Sequence, residues 1–123
     1  MTKGNYVDGF VIPLKKKDIA KYKKMAEWGK KIWMKYGALE YFECVGDDLK
    51  VHPHMGQGFK KLAKLKNDET VIFSFIIYKS KADRDRINKK IMSDPKMKDF
   101  DPKDMPVDMK RFVMGGFKVI VKN

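Results

Sequence analysis

Cysteine is nearly absent: Cys44 is the single thiol in 123 residues, so no internal disulfide can form and a reducing, cytoplasmic home is expected. Long apolar runs are missing too. The longest, Val71 to Tyr78, already contains Ser74 and falls well short of the roughly 20 residues a membrane-spanning helix needs. The amino end, Met1-Thr2-Lys3-Gly4, leads straight into strand-like residues with no apolar stretch or small-residue cleavage site, so export is not expected. There is no glycine-rich strand-to-helix phosphate loop, no His-Glu-x-x-His, no Gly-x-Ser-x-Gly and no Cys-x-x-Cys, so neither cofactor nor metal is expected.

Arginine is scarce in a strongly basic chain. The net charge is +12, yet of 28 basic residues only Arg84, Arg86 and Arg111 are arginine. Phosphate neutralisation favours nucleic-acid binding, but bidentate phosphate and base contacts prefer the guanidinium fork. The lysines are scattered from Lys15-Lys16-Lys17 to Lys89-Lys90. That scatter argues for solvated helix faces over a nucleic-acid groove.

What is present is core material. A hydrophobic fraction of 43% with 12% aromatic residues excludes a disordered tail, and the length fits one domain, residues 1–123. Asn5 to Ile12 reads as a first strand ended by Pro13. From Lys16 to Tyr36, Ile19, Tyr22, Ala26, Gly29, Trp33 and Tyr36 recur every three or four residues, which predicts an amphipathic helix stopped at Gly37. Leu39 to Val45 predicts a second strand ending at Gly46-Asp47-Asp48. Leu49 to Lys66 is ambiguous, with Phe59 to Leu65 either a short helix or extended. Thr70 to Tyr78 is the strongest strand signal. Ser80 and Asp83 predict a capped helix to about Met92, and Asp94-Pro95 a second short one holding Met97 and Phe100. Arg111 to Val121 closes the chain as a strand with a bulge expected at Gly115-Gly116. The order β-α-β-β-α-β predicts an α+β, ferredoxin-like fold: a four-stranded antiparallel sheet with two main helices on one face.

Helices on one face leave the other to water, and such strands should alternate apolar and polar residues. Val71-Ile72-Phe73-Ser74-Phe75-Ile76-Ile77-Tyr78 is apolar on both faces, and the last strand adds Val113 and Ile120 to Phe112, Met114 and Phe117. A second copy packed sheet to sheet would cover the open face, so a homodimer is expected; the alternative is that Leu49 to Lys66 folds over it.

Several strings resemble a known family. They are Tyr6-Val7-Asp8-Gly9-Phe10-Val11, Tyr36-Gly37-Ala38-Leu39, Glu43-Cys44 with Gly46-Asp47-Asp48, Glu69-Thr70-Val71 with Phe73-Ser74, Ser80-Lys81-Ala82 with Arg84-Asp85, Asp94-Pro95 with Met97, and Met105-Pro106 with Asp108, Lys110-Arg111 and Gly115-Gly116-Phe117. Over nearly the whole chain these resemble the YbaA-like proteins, a bacterial family of unknown function. The resemblance implies a dimeric α/β barrel, similar to the superfamily of antibiotic-biosynthesis monooxygenases and muconolactone isomerases, and it implies no particular reaction.

Candidate site residues follow from charge in apolar surroundings. Asp8 sits between Tyr6 and Phe10 in period two, and Glu43 between Tyr41 and Val45; facing an interface between sheets, either would be a partly desolvated acid or base, and otherwise each is one half of an ion pair, with Arg111 the expected partner of Asp8. Cys44 could be a nucleophile, though a free cysteine is more often a small buried hydrophobe. His52 and His54 around Pro53, with Asp47, Asp48 or Cys44, read as surface histidines before metal ligands. Arg84 beside Asp85, and Arg111, could hold a ligand anion or serve helix ends and interface pairs. Two functions compete: a pocket that binds or converts a small molecule without a dedicated cofactor, and a basic module that binds nucleic acid or an acidic partner.

Overall fold

The computed structural model describes residues 3–123. Met1 and Thr2, on which the expectation about export partly rests, lie outside the described residues. Seven elements organise the chain: β1 (Tyr6–Lys15), α1 (Ile19–Lys35), β2 (Glu40–Val45), α2 (Phe59–Leu62), β3 (Glu69–Tyr78), α3 (Lys81–Met92) and β4 (Val113–Lys118). The four strands form one antiparallel sheet in the order β2-β3-β1-β4. This is the ferredoxin-like arrangement, two split β-α-β units with the long helices packed on the same sheet face.

Pairing register decides which side chains meet those helices. Opposite residues of an antiparallel ladder share a face, so Asp8↔Ile76, Phe10↔Ser74, Ile12↔Ile72, Tyr41↔Ile76 and Glu43↔Ser74 all lie on the helix side. There Ile32 of α1 and Ile87 and Ile91 of α3 pack with Ile76 and Tyr78, while Tyr22 and Ala26 pack with Ile12, Leu14 and Ile72. Burying such aliphatic and aromatic side chains contributes roughly 1.5–3 kcal/mol each and holds the helices on the sheet.

The ends of the helices follow local chemistry. Gly37 takes φ +113° just after α1, a conformation closed to most side-chain-bearing residues. The Ser80 hydroxyl accepts from the Asp83 amide at 3.1 Å at the head of α3. Asp94 accepts from the Lys96 amide at 2.8 Å, but the segment it opens, Pro95–Asp99, is a 3₁₀ turn, and Phe100 follows it to stack on Trp28 at 5.8 Å. A second such turn, Pro102–Asp104, is capped by Asp101.

Three expectations are corrected. Pro13 does not end β1: the ladder to β4 stops at Val11↔Val113, so Pro13 stands where β1 has a neighbour on one side only, which a residue without an N–H tolerates. The last strand is shorter than Arg111 to Val121, and Gly115-Gly116 form no bulge, since the β1–β4 register runs unbroken from Tyr6↔Lys118 to Val11↔Val113. A side chain at Gly116 would collide with the Tyr6 ring, so its bare Cα makes room on the helix side.

The opposite face stays largely open. Phe42, Phe73, Val113 and Phe117 are 42%, 45%, 54% and 60% exposed. Phe42 stacks on Phe75 at 4.8 Å, and Phe75 lies 5.7 Å from Phe73. The ambiguous segment supplies α2, whose Phe59 meets Phe73 edge-on at 6.0 Å and covers that corner alone. No helix among the described residues is long and apolar enough to cross a membrane.

Candidate functional site

Between α1 and the helix side of the sheet lies a cavity of about 430 Å³. Its wall is mostly aromatic and thioether: Phe10 and Phe112 from the sheet side, Trp28 and Trp33 from α1, Met97 and Met105 from the turns that close it. The i, i+3, i+4 pattern puts Tyr22, Ala26, Gly29 and Trp33 of α1 toward this space. Two clusters of polar side chains interrupt the apolar lining.

The first centres on Asp8, which is 3% exposed. Arg84, from the first turns of α3, donates Nη1 to Asp8 Oδ1 at 2.8 Å, donates Nε to Asp85 at 2.8 Å, and lies over the Tyr6 ring at 5.0 Å. The Tyr78 hydroxyl and the Asn88 amide add hydrogen bonds to Asp8, and Trp33 Nε1 donates to the Tyr78 oxygen at 3.1 Å. Burial raises the Asp8 carboxyl above its ordinary value, and Arg84 with the neutral donors opposes without cancelling it. Asn88 Oδ1 also lies here, buried and without a hydrogen-bond partner.

The second centres on Glu43. Tyr22 and Tyr41 donate their hydroxyls to its two oxygens, each at 2.7 Å. Burial, then the Glu43 charge, push both phenols well above the ordinary tyrosine range, so both stay protonated donors. No lysine or arginine among the described residues forms an ion pair with Glu43. Tyr22, Tyr41 and Glu43 also border a second cavity of about 270 Å³ whose rim carries Lys23 and Lys30.

Of the residues singled out in the sequence, Asp8 and Glu43 come to one cavity and Arg84 joins them through its bond to Asp8, while Cys44, His52, His54 and Arg111 lie elsewhere. Cys44 is exposed on the open face opposite Phe73. His54 sits in an exposed loop with φ 68°, and no group of three metal-ligating side chains exists among the described residues. Arg111 is not the partner of Asp8: it grips Glu69 through two bonds, 2.8 and 2.6 Å, and Asp108 through a third at 2.9 Å, tying the β4 approach to the start of β3. Sequence reasoning did not assign site roles to Asn88, Tyr78, Tyr22 or Tyr41. A signal for the two tyrosines existed: helix-facing phenols need a partner for the O–H, and Glu43 shares the parity of Tyr41.

A ferredoxin-like α+β chain with an apolar, carboxylate-bearing cavity under its helices is the class these features define. Residues 5–109 match the model of a protein family of unknown function, DUF1428. The chain is 42% identical over 118 residues to the uncharacterized protein YbaA of Escherichia coli (strain K12), covering 94% of this chain and 97% of that one. The uncharacterized YbaA of Shigella flexneri matches to the same extent. The chain therefore belongs to the YbaA-like DUF1428 family. Among solved structures, a de novo designed protein, Foldit4, aligns at 12% identity with a TM-score of 0.48, covering 96% of this chain and 99% of that one.

Proposed function

We propose that this chain, as a single domain in the reducing cytoplasm, binds or converts a small apolar molecule without a dedicated cofactor, and does so as a homodimer joined through the open sheet faces. The observation that carries the reading is the cavity itself. At about 430 Å³ it falls in the range of small-ligand sites, which are mostly apolar with a few convergent polar groups. A carboxyl raised by burial and held by Arg84, at the edge of such a space, is equipped to take or give a proton. The dimer follows from Phe42, Phe73, Phe75 and Phe117, whose rings would be dry against a second sheet and are wet without one.

Trp28 and Trp33 line the cavity, so their fluorescence reports occupancy. Small aromatic compounds are expected to change it, and Ala26→Phe, which fills the space from α1, is expected to abolish the response while leaving the protein folded. An undiminished response in folded Ala26→Phe would place binding elsewhere. Exposed lysines along α1 support the competing reading of a basic interaction module. Retention of mixed nucleic acid at low salt, lost steeply as salt rises, would favour that reading.

A further inference from the structure

We propose that the cavity selects a ligand carrying an O–H or N–H donor, such as a phenol, alcohol or amine on an apolar body, and rejects carboxylates and other anions. The inference rests on the small-molecule reading above and names the ligand class of that same site.

It follows from counting which polar atoms of the wall are already used. Most donors are engaged: Trp33 Nε1 gives its proton to Tyr78, Tyr22 and Tyr41 give theirs to Glu43, and the Asn88 amide, Tyr78 and Arg84 turn toward Asp8, which leaves on the wall the Ser74 hydroxyl, able to give or to accept. The remaining unfilled capacity is of the opposite kind. Asn88 Oδ1 is a buried acceptor with nothing bound, and a carboxylate offers about four lone-pair sites, of which the two tyrosines occupy two at Glu43. A buried acceptor left empty is costly, so an occupant that donates to it recovers that cost, whereas an occupant bringing only acceptors adds its own desolvation.

Charge points the same way. Asp8 is matched by Arg84 at 2.8 Å, but Glu43 is held by neutral phenols alone. An anion in the cavity would meet an uncompensated carboxylate in apolar surroundings, where repulsion is strong. Lys23 and Lys30 stand at the rim of the second cavity, across the Tyr22–Glu43–Tyr41 partition, and do not pair with Glu43.

The test is isothermal titration of the full chain with three bicyclic probes of similar shape: 2-naphthol, 2-methoxynaphthalene and 2-naphthoate. Binding of 2-naphthol is expected to be roughly tenfold or more tighter than binding of either other probe, the size of one hydrogen bond to a buried group. Equal or tighter binding of the methyl ether or the carboxylate would overturn the ligand class and leave the small-molecule site standing. No heat from any probe at millimolar concentration would overturn both. Asn88→Leu, which removes the empty acceptor, is expected to shrink the advantage of 2-naphthol over its methyl ether, and an unchanged advantage would contradict the role of Asn88. Should Asn88→Leu not fold, Glu43→Gln is read instead: removing the uncompensated charge is expected to strengthen 2-naphthoate binding relative to 2-naphthol, and no relative gain would contradict the role of Glu43.

Discussion

The Arg84 guanidinium donates to the Asp8 carboxylate at 2.8 Å across 76 residues of sequence, joining the first turns of α3 to the middle of β1 with side chains only 18% and 4% exposed. Removing one partner of such a pair leaves a charge uncompensated, at a cost of about 3 kcal/mol or more when it is buried. Arg84→Met, which strands the buried carboxylate, should therefore lower stability by about 3 kcal/mol, and Asp8→Asn by less, since Arg84 keeps Asp85. The double variant should lose little more than Arg84→Met alone. Thermal denaturation of the cycle checks this, and purely additive losses would contradict the pairing. Arg111→Met combined with Asp8→Asn should instead be additive to about 0.5 kcal/mol, because Arg111 serves Glu69.

Glu69 and Asp8 should oppose each other in acid. Hydrogen bonds from Arg111 hold the Glu69 carboxyl at about 2, so its contribution is present above the unfolded value, about 4.3, and is lost as pH falls through about 2. The Asp8 carboxyl is raised by burial, so its contribution is present below the unfolded value and is lost as pH rises through the folded one. Urea unfolding at about pH 6 and about pH 3 should show a smaller acid loss in Glu69→Gln and a larger one in Asp8→Asn than in the parent protein. The reverse order would contradict both assignments.

Phe75→Asp tests the open face. Phe75 is half-buried, stacked on Phe42 and turned away from the helices. A carboxylate there should abolish association and spare the fold, since the monomer leaves this face wet. Sedimentation at micromolar concentration is expected to show the parent at twice 14.4 kDa and Phe75→Asp at 14.4 kDa. A parent that sediments as a monomer would remove the dimer from the account.

Gly29→Ala probes the Glu43 end of the cavity. The new methyl would stand 3.0 Å from the Tyr41 hydroxyl, so the phenol must give by a few tenths of an ångström and strain its bond to Glu43, while α1 gains about 0.5–1 kcal/mol of helix propensity. Net stability should change by less than about 1 kcal/mol, and 2-naphthol affinity should fall. Calorimetry on the folded variant checks it, and an unaltered affinity would detach Tyr41 from the site.

Much of the fold was legible because its signals are local. The period of Tyr22, Ala26, Gly29 and Trp33, the cap at Ser80 and the stop at Gly37 each depend on neighbours a few residues away. The strand period shows that Asp8 shares a face with Tyr6 and Phe10, and Glu43 with Tyr41, but not which face: the ladder turns both carboxylates to the helices and away from an interface between sheets. The pairings were not legible. Arg111 was the expected partner of Asp8, and only the crossing of α3 over β1 brings Arg84 there instead. Pro13 misled because its effect depends on where β4 stops, and Gly115-Gly116 because the Tyr6 ring that needs the space at Gly116 lies more than a hundred residues away.

The space beneath α1 is proposed as a ligand site. A crystal structure of the protein grown with 2-naphthol tests it most directly. The ring system is expected between Trp28 and the sheet, with its hydroxyl directed to Asn88 Oδ1 or Glu43. A cavity filled by ordered water or collapsed side chains, with the naphthol bound elsewhere or absent, would contradict it.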